Sequence, residues 1–228
     1  MNLLALDTST DTFSIAVQKG QANWQSSGPG GAQSSAQLIP AIKALMAQAG
    51  LGFSELQAIA FGRGPGSFTG LRTACAVAQG LAFAARIPVL PVDSLLAVAE
   101  QARAQHGCEA LVAVLDARMN EVYHAAFHWR QGKWSSMADF GLCAPEALDL
   151  PTGTVVAGNA QAAYGSRLAP QARHLQALPT AEAMLRLAPA LLAQGLAVPA
   201  DQALPHYIRD KVAQTTAERA AARQAAAA

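Results

Sequence analysis

The sequence predicts an α/β protein made of two related halves, and three observations carry that expectation. Apolar runs of strand length alternate with longer stretches of helical periodicity. Two antiparallel hairpin turns open the chain before any helix, which suggests a mixed sheet. A strand that ends on an acid, Leu3-Leu4-Ala5-Leu6 followed by Asp7, recurs about a hundred residues later as Leu111-Val112-Ala113-Val114-Leu115 followed by Asp116. Duplication of one fold unit is the simplest cause of that recurrence.

Composition sets the outer limits. A chain of 228 residues with 52% apolar and 14% charged residues has ample length and apolar surface to bury a core. The formal net charge is +1 and there is no run of Lys or Arg. Holding a polyanion takes clustered cations that release counterions, so tight binding of tRNA or DNA by this chain alone is not expected. Cys75, Cys108 and Cys143 are odd in number and lack metal-ligand spacing. Met1 to Asp7 has no basic start and reaches an acid within seven positions, unlike a signal peptide. The apolar run 73–85 is too short to span a bilayer. A cytoplasmic protein without metal or cofactor is the expectation.

The elements follow in order. Phe13 to Val17 alternates as a second strand, and 22–26 is a third after the turn Lys19-Gly20. Gly28-Pro29-Gly30-Gly31 reads as a loop. Ser34 or Ser35 can cap the next helix, in which Leu38, Ile39, Ile42, Leu45, Met46 and Ala49 fall at three- and four-residue spacings. Pro40 marks either its first turn or a kink, and Gly50 ends it. A buried strand, Ala58-Ile59-Ala60-Phe61, leads into a glycine-rich segment and then a helix. The run 87–92 is a short strand, and Asp93 or Ser94 caps a helix to about His106. Gly107-Cys108-Glu109 separates the halves. Tyr123, Ala125, Phe127 and Trp129 then alternate with Val122, His124, Ala126 and His128 on one strand. On a strand, four residues span roughly 13 Å, so His124 and His128 do not share an ion. Gln131-Gly132 turns a hairpin; 145–148 is a short helix, 154–158 a strand, and Thr180 caps a helix over 181–192.

The chemistry-bearing candidate is Gly62-Arg63-Gly64-Pro65-Gly66-Ser67-Phe68-Thr69-Gly70-Leu71-Arg72. Strand, glycine turn and helix N-terminus can cradle phosphate, because free backbone N–H groups point out of such a turn. No lysine is present for a P-loop, Gly70 comes one residue too late for G-x-G-x-x-G, and Pro65 excludes a nucleophile elbow. The spacing leaves two readings open: an anion loop, or glycines that only turn the chain and permit close packing. Asp7 likewise either faces a ligand at the sheet's carboxyl edge or makes an Asx turn with the hydroxyls after it.

The segment 62–72 resembles the signature loop of the bacterial TsaB (YeaZ) family. So do Leu115-Asp116-Ala117-Arg118-Met119-Asn120-Glu121-Val122-Tyr123, the terminal Pro205-His206-Tyr207-Ile208-Arg209, and the opening Leu6-Asp7-Thr8-Ser9. The resemblance implies two RNase-H-like lobes of the actin/Hsp70/sugar-kinase architecture with the second lobe reduced. Residues 1–106, completed by about 204–215, would form the first lobe, 107–203 the second, and 216–228 an Ala-rich tail. It implies a subunit without catalysis or cofactor, required for threonylcarbamoylation of adenosine 37 in ANN-reading tRNAs. Its partners would be the catalytic paralogue TsaD and the small ATPase TsaE, with a homodimer when alone and tRNA reached only through the complex. The superfamily carries D-x-G-[ST] where this chain has Asp7-Thr8-Ser9-Thr10, so phosphate contact is in doubt; Asp7, Thr8, Ser9, Gly64, Gly66, Ser67, Thr69 and Arg72 are at most vestigial or interface candidates. Family members usually carry histidine at Ser34. The rival reading is an ATP-dependent kinase-like phosphotransferase or a glycoprotease-like peptidase, but the positioning groups of neither are recognisable. A partner interface is expected on the two helices of the first half, through Leu38, Ile42, Leu45, Met46, Ala49, Leu71, Cys75, Ala78 and Ala82, since the second helix is apolar nearly all round.

Overall fold

The computed structural model describes residues 1–31 and 34–209. The Ala-rich tail, the contribution expected from 210–215 and the capping by Ser34 or Ser35 fall outside that description. Strands β1 (Asn2–Asp7), β2 (Thr12–Lys19) and β3 (Ala22–Pro29) form an antiparallel meander. β1 also pairs in parallel with β4 (Ala58–Gly64), and β4 with β5 (Val89–Asp93), giving the order β3-β2-β1-β4-β5. The second sheet holds β6 (Ala110–Asp116), β7 (Val122–Arg130), β8 (Lys133–Ser136), β9 (Gly141–Cys143), β10 (Val155–Gly158) and β11 (Arg173–Gln176). Its order is β8-β7-β6-β10-β11, with β9 beside β7. Antiparallel and parallel neighbours fall at the same places in both sheets. The strand-then-acid recurrence is therefore the trace of a repeated unit, and the fold is two RNase-H-like lobes of the actin/Hsp70/sugar-kinase type.

Helices show which lobe is reduced. The first lobe has α1 (Ser34–Ala49) between β3 and β4, and the 18-residue α2 (Phe68–Ala85) between β4 and β5. In the second, only a 3₁₀ turn at Pro145–Ala147 is described near the place of α1, and α4 (Ala160–Tyr164) has five residues in the place of α2. The helices that close each lobe, α3 (Ser94–His106) and α5 (Ala181–Ala193), pack on each other between the sheets and cross over. Met184 and Leu187 of α5 lie against Leu3 and Ala5 of the first sheet, while Leu95 and Val98 of α3 lie against Leu111 and Ala113 of the second. β1 is thus buried on both faces, with Leu4 and Leu6 toward α1 and α2, which is why it reads as an unbroken apolar run.

Several local expectations change. β3 continues through Gly28 and Pro29, because a side chain at Gly28 would lie 2.7 Å from the Phe13 ring on β2. Pro40 sits inside α1, not in its first turn. α2 begins at Phe68, with Ser67 as N-cap, so the end of the glycine segment is already helix. β9, β11 and α4 carried no readable signal, being three to five residues long.

The interface expectation needs correction. Leu38, Ile42, Leu45, Met46, Ala49, Leu71, Cys75, Ala78 and Ala82 are all buried within this chain's own core. Both helices bury one stripe on the first sheet, and alanine and glycine fill much of the outward side of α2. That helix is not buried all round: Phe83 is 76% exposed, and Ala76, Gly80 and Ala84 are exposed beside it.

Candidate functional site in the interlobe cleft

The two strand-end acids open toward the space between the lobes, where a cavity of about 280 Å³ is lined by both. From the first lobe come Ser9, Gly66, Ser67 and Thr69; from the second, Asp116, Arg118, Tyr123 and Asn159. The chain's last described residues, Tyr207, Ile208 and Arg209, form another wall.

Asp7 does not reach that cavity. It is 1% exposed, and its Oδ1 accepts from the backbone N–H and hydroxyl of Ser9 at 2.9 and 2.8 Å, an Asx turn. Its Oδ2 is buried with no hydrogen-bond partner. Burial pushes the carboxyl up to about 7, against the opposing bonds from Ser9.

Three glycines four apart seal it. A Cβ at Gly62 would fall 1.8 Å from Asp7 Oδ2, one at Gly66 2.6 Å from the Ser9 carbonyl oxygen, and one at Gly70 1.8 Å from the Thr8 carbonyl oxygen. The Ser67 N–H donates to the Ser9 carbonyl at 2.7 Å, and the Thr8 hydroxyl donates to the Gly70 carbonyl at 2.6 Å. These glycines make room for the chain's own loop 8–10, in the space a phosphate would need. The remaining candidates are likewise engaged. Gly64, at φ 121°, admits the His206 backbone, and Arg72 donates to the Tyr207 hydroxyl at 3.1 Å while stacking over Phe68. Arg63 forms a two-point pair with Asp93 at 2.7 and 3.1 Å, so Asp93 caps α3 by position but not by side chain.

Asp116 has a different environment. Its Oδ1 accepts from the Tyr164 hydroxyl at 2.7 Å and the Arg118 N–H at 2.8 Å, and its own N–H donates to Asn159 Oδ1 at 2.9 Å. Burial, then the bond to Asp116, pushes the Tyr164 hydroxyl up to about 12. Arg118, Met119 and Asn120 all have positive φ, at 59°, 54° and 62°. Such a conformation costs about 1–2 kcal/mol for an ordinary residue. It aims Arg118 across the cleft to Asp11 at 2.6 and 2.7 Å, and Asn120 toward Arg167. The Asp116–Arg118 pair expected from sequence is a longer contact of 3.6 Å, secondary to the interlobe one. Asp11, Asn159, Tyr164 and Arg209 were not singled out from sequence; only the recurring strand-end acid pointed to this corner. The described residues contain no group of three metal-ligating side chains and no helix long and apolar enough to cross a membrane.

Comparison with known proteins decides the family. The tRNA threonylcarbamoyladenosine biosynthesis protein TsaB of Haemophilus influenzae is 35% identical, over 93% of this chain and 95% of that protein. The chain belongs to the TsaB family. TsaB of Escherichia coli is 31% identical over 93% of this chain and 96% of its own length. The solved structure of YeaZ from Pseudomonas aeruginosa superposes with a TM-score of 0.84 at 38% identity, covering 91% of this chain and 99% of that one. A family model described as TsaD, tRNA N6-adenosine threonylcarbamoyltransferase, matches residues 30–161. TsaB relatives match almost end to end, whereas the transferase model covers the second half of the first lobe and the start of the second.

Proposed function

We propose that this chain is the non-catalytic subunit of a cytoplasmic machinery that makes threonylcarbamoyladenosine in tRNA. It pairs with the catalytic paralogue TsaD, is joined by the ATPase TsaE, and meets tRNA only within that complex. The observation that carries a role without catalysis is the filling of the first lobe's phosphate position by loop 8–10, with Asp7 sealed beneath it. Phosphoryl transfer depends on open, positioned groups at that place. Pairing is supported by the outward side of α1 and α2, where Ile39 (41% exposed), Ala76, Gly80, Phe83 and Ala84 form an apolar surface of small residues around one aromatic anchor.

The test has two arms. Deletion should abolish threonylcarbamoyladenosine in ANN-reading tRNAs by nucleoside mass spectrometry, and Ser67→Ala should restore most of it. Phe83→Glu with Ile39→Glu should abolish co-sedimentation with TsaD while circular dichroism stays native; a folded variant that still pairs refutes this surface. Leu45→Glu, by contrast, places a charge in the chain's own core and should unfold it. Calorimetric titration of the isolated chain with Mg-ATP should show no micromolar site.

A further inference from the structure

We propose that residues 204–209 are an interlobe clasp, a segment of the chain that holds the cleft at one width. In cleft proteins, closure of two lobes is commonly driven by a ligand that touches both; here six consecutive residues of the chain do so. The argument does not depend on the function proposed above.

The segment is fastened first to the glycine-loop lobe. Val198 pairs with Val89 through two backbone bonds of 2.8 and 2.9 Å, and the Cys75 thiol donates to the Ala203 carbonyl at 3.2 Å. The His206 N–H then donates to the Arg63 carbonyl at 2.6 Å. The Tyr207 hydroxyl accepts from Arg72, and its ring lies 5.2 Å from that of Phe68. Gly64 permits this approach, since a Cβ there would fall 2.6 Å from the His206 carbonyl oxygen.

Within two residues the fastening changes lobe. Ile208 packs into the second lobe's core beside the α3 side chains, and the His206 ring lies 5.8 Å from Phe140. Arg209 pairs with Glu121 and donates to the Arg118 carbonyl and the Met119 sulfur, both at 3.4 Å. It therefore pins the left-handed turn 118–120, whose Arg118 reaches back to Asp11 of the first lobe. Backbone bond, ring contact and ion pair lie on one short strap, so releasing either end frees both cleft walls. An isolated surface pair such as Arg118–Asp11 holds little alone.

Amide hydrogen exchange on the full-length chain carrying Tyr207→Ala and Arg209→Ala tests this, read by mass spectrometry. Exchange should rise at least tenfold in both 8–11 and 117–121, on opposite lobes, while 3–6 and 111–115 keep their native rates. Unchanged rates in the two loops overturn the clasp. Acceleration confined to 117–121 also overturns it, since Arg209 would then only pin a turn. Equal acceleration in the core strands overturns it too, as the segment would be part of the core. If the double variant does not fold, Arg209→Ala alone is read by the same criterion at both loops.

Discussion

Asp7 and Asp116 end the central strands of two lobes with the same strand order, yet their surroundings are opposite. Asp7 is sealed beneath three glycines that let loop 8–10 close over it, with one oxygen lacking any partner. Asp116 borders the cavity, where a tyrosine and a backbone amide hydrogen-bond its carboxylate. The first lobe kept full-length helices and lost its ligand space; the second lost helix and kept an open polar corner. Glycine richness in such a segment is therefore no sign of ligand binding until it is known what the glycines admit.

Substituting those glycines should break the comparison most severely. Gly70→Ala drives a methyl into the Thr8 carbonyl, with backbone on both sides of the clash, and should cost more than about 4 kcal/mol in urea denaturation. At Gly80, ten residues along the same helix, an added methyl group would meet nothing within 4 Å. Gly80→Ala should instead stabilise by about 0.5–1 kcal/mol through helix propensity. Equal effects at the two positions would show that loop 8–10 can yield.

Asp7→Asn sharpens the comparison through pH. The folded chain holds the Asp7 proton up to about pH 7, whereas the unfolded chain releases it near pH 4. In that window the folded state binds more protons, so stability falls as pH rises and levels off above about 7. The fall is on the order of 4 kcal/mol at most. Asp7→Asn removes the dependence: the variant should match the parent near pH 4 and exceed it at pH 8.5. A parent that is as stable at pH 8.5 as at pH 5, relative to the variant, would mean that Asp7 is solvated.

Where the lobes meet, a third acid behaves as neither of these. Glu100 on α3 is buried; that alone would raise its pKa, but hydrogen bonds from Arg103, Trp134 and Arg186 outweigh burial and hold it below the usual range. Glu100→Gln should cost about 2–3 kcal/mol at pH 7, since bonds to two guanidinium groups are weakened. For this lowered acid the contribution is present above the ordinary glutamate range and is lost as pH falls through the folded value. The gap between parent and variant should therefore close in acid, opposite to Asp7.

How far the sequence disclosed this varies with the length of the signal. The apolar runs of β1, β4 and β6, the helix caps at Ser67 and Thr180 and the Gln131-Gly132 hairpin were legible, because each is a local pattern with a local cause. The crossing of α3 and α5 was not, since periodicity shows that a helix has an apolar face but not which sheet covers it. The same limit put Leu45 and Met46 on an imagined outer surface. At the cleft, the acids announced themselves by position, but their partners Tyr164, Asn159 and Arg209 come from remote segments with no periodic signature.

The smallest effect expected is at the open acid itself. The Tyr164 hydroxyl donates to Asp116 at 2.7 Å, with the Glu121 carbonyl as a second acceptor at 3.1 Å, bracing the turn that carries Arg118. Tyr164→Phe deletes one donor, while Asp116 keeps the Arg118 N–H and guanidinium, so the loss at pH 7 should be about 1 kcal/mol. Its pH signature lies in the alkaline range. The folded chain keeps the Tyr164 proton to about pH 12, while the unfolded chain loses it near 10, so this contribution is complete below pH 10 and fades between 10 and 12. Absorbance titration near 295 nm should find one phenolate in the parent that forms only at about pH 12, and that step should vanish in Tyr164→Phe. If the late step persists in the variant, the hydrogen bond to Asp116 is not what holds the proton, and the second lobe's acid is as solitary as the first's.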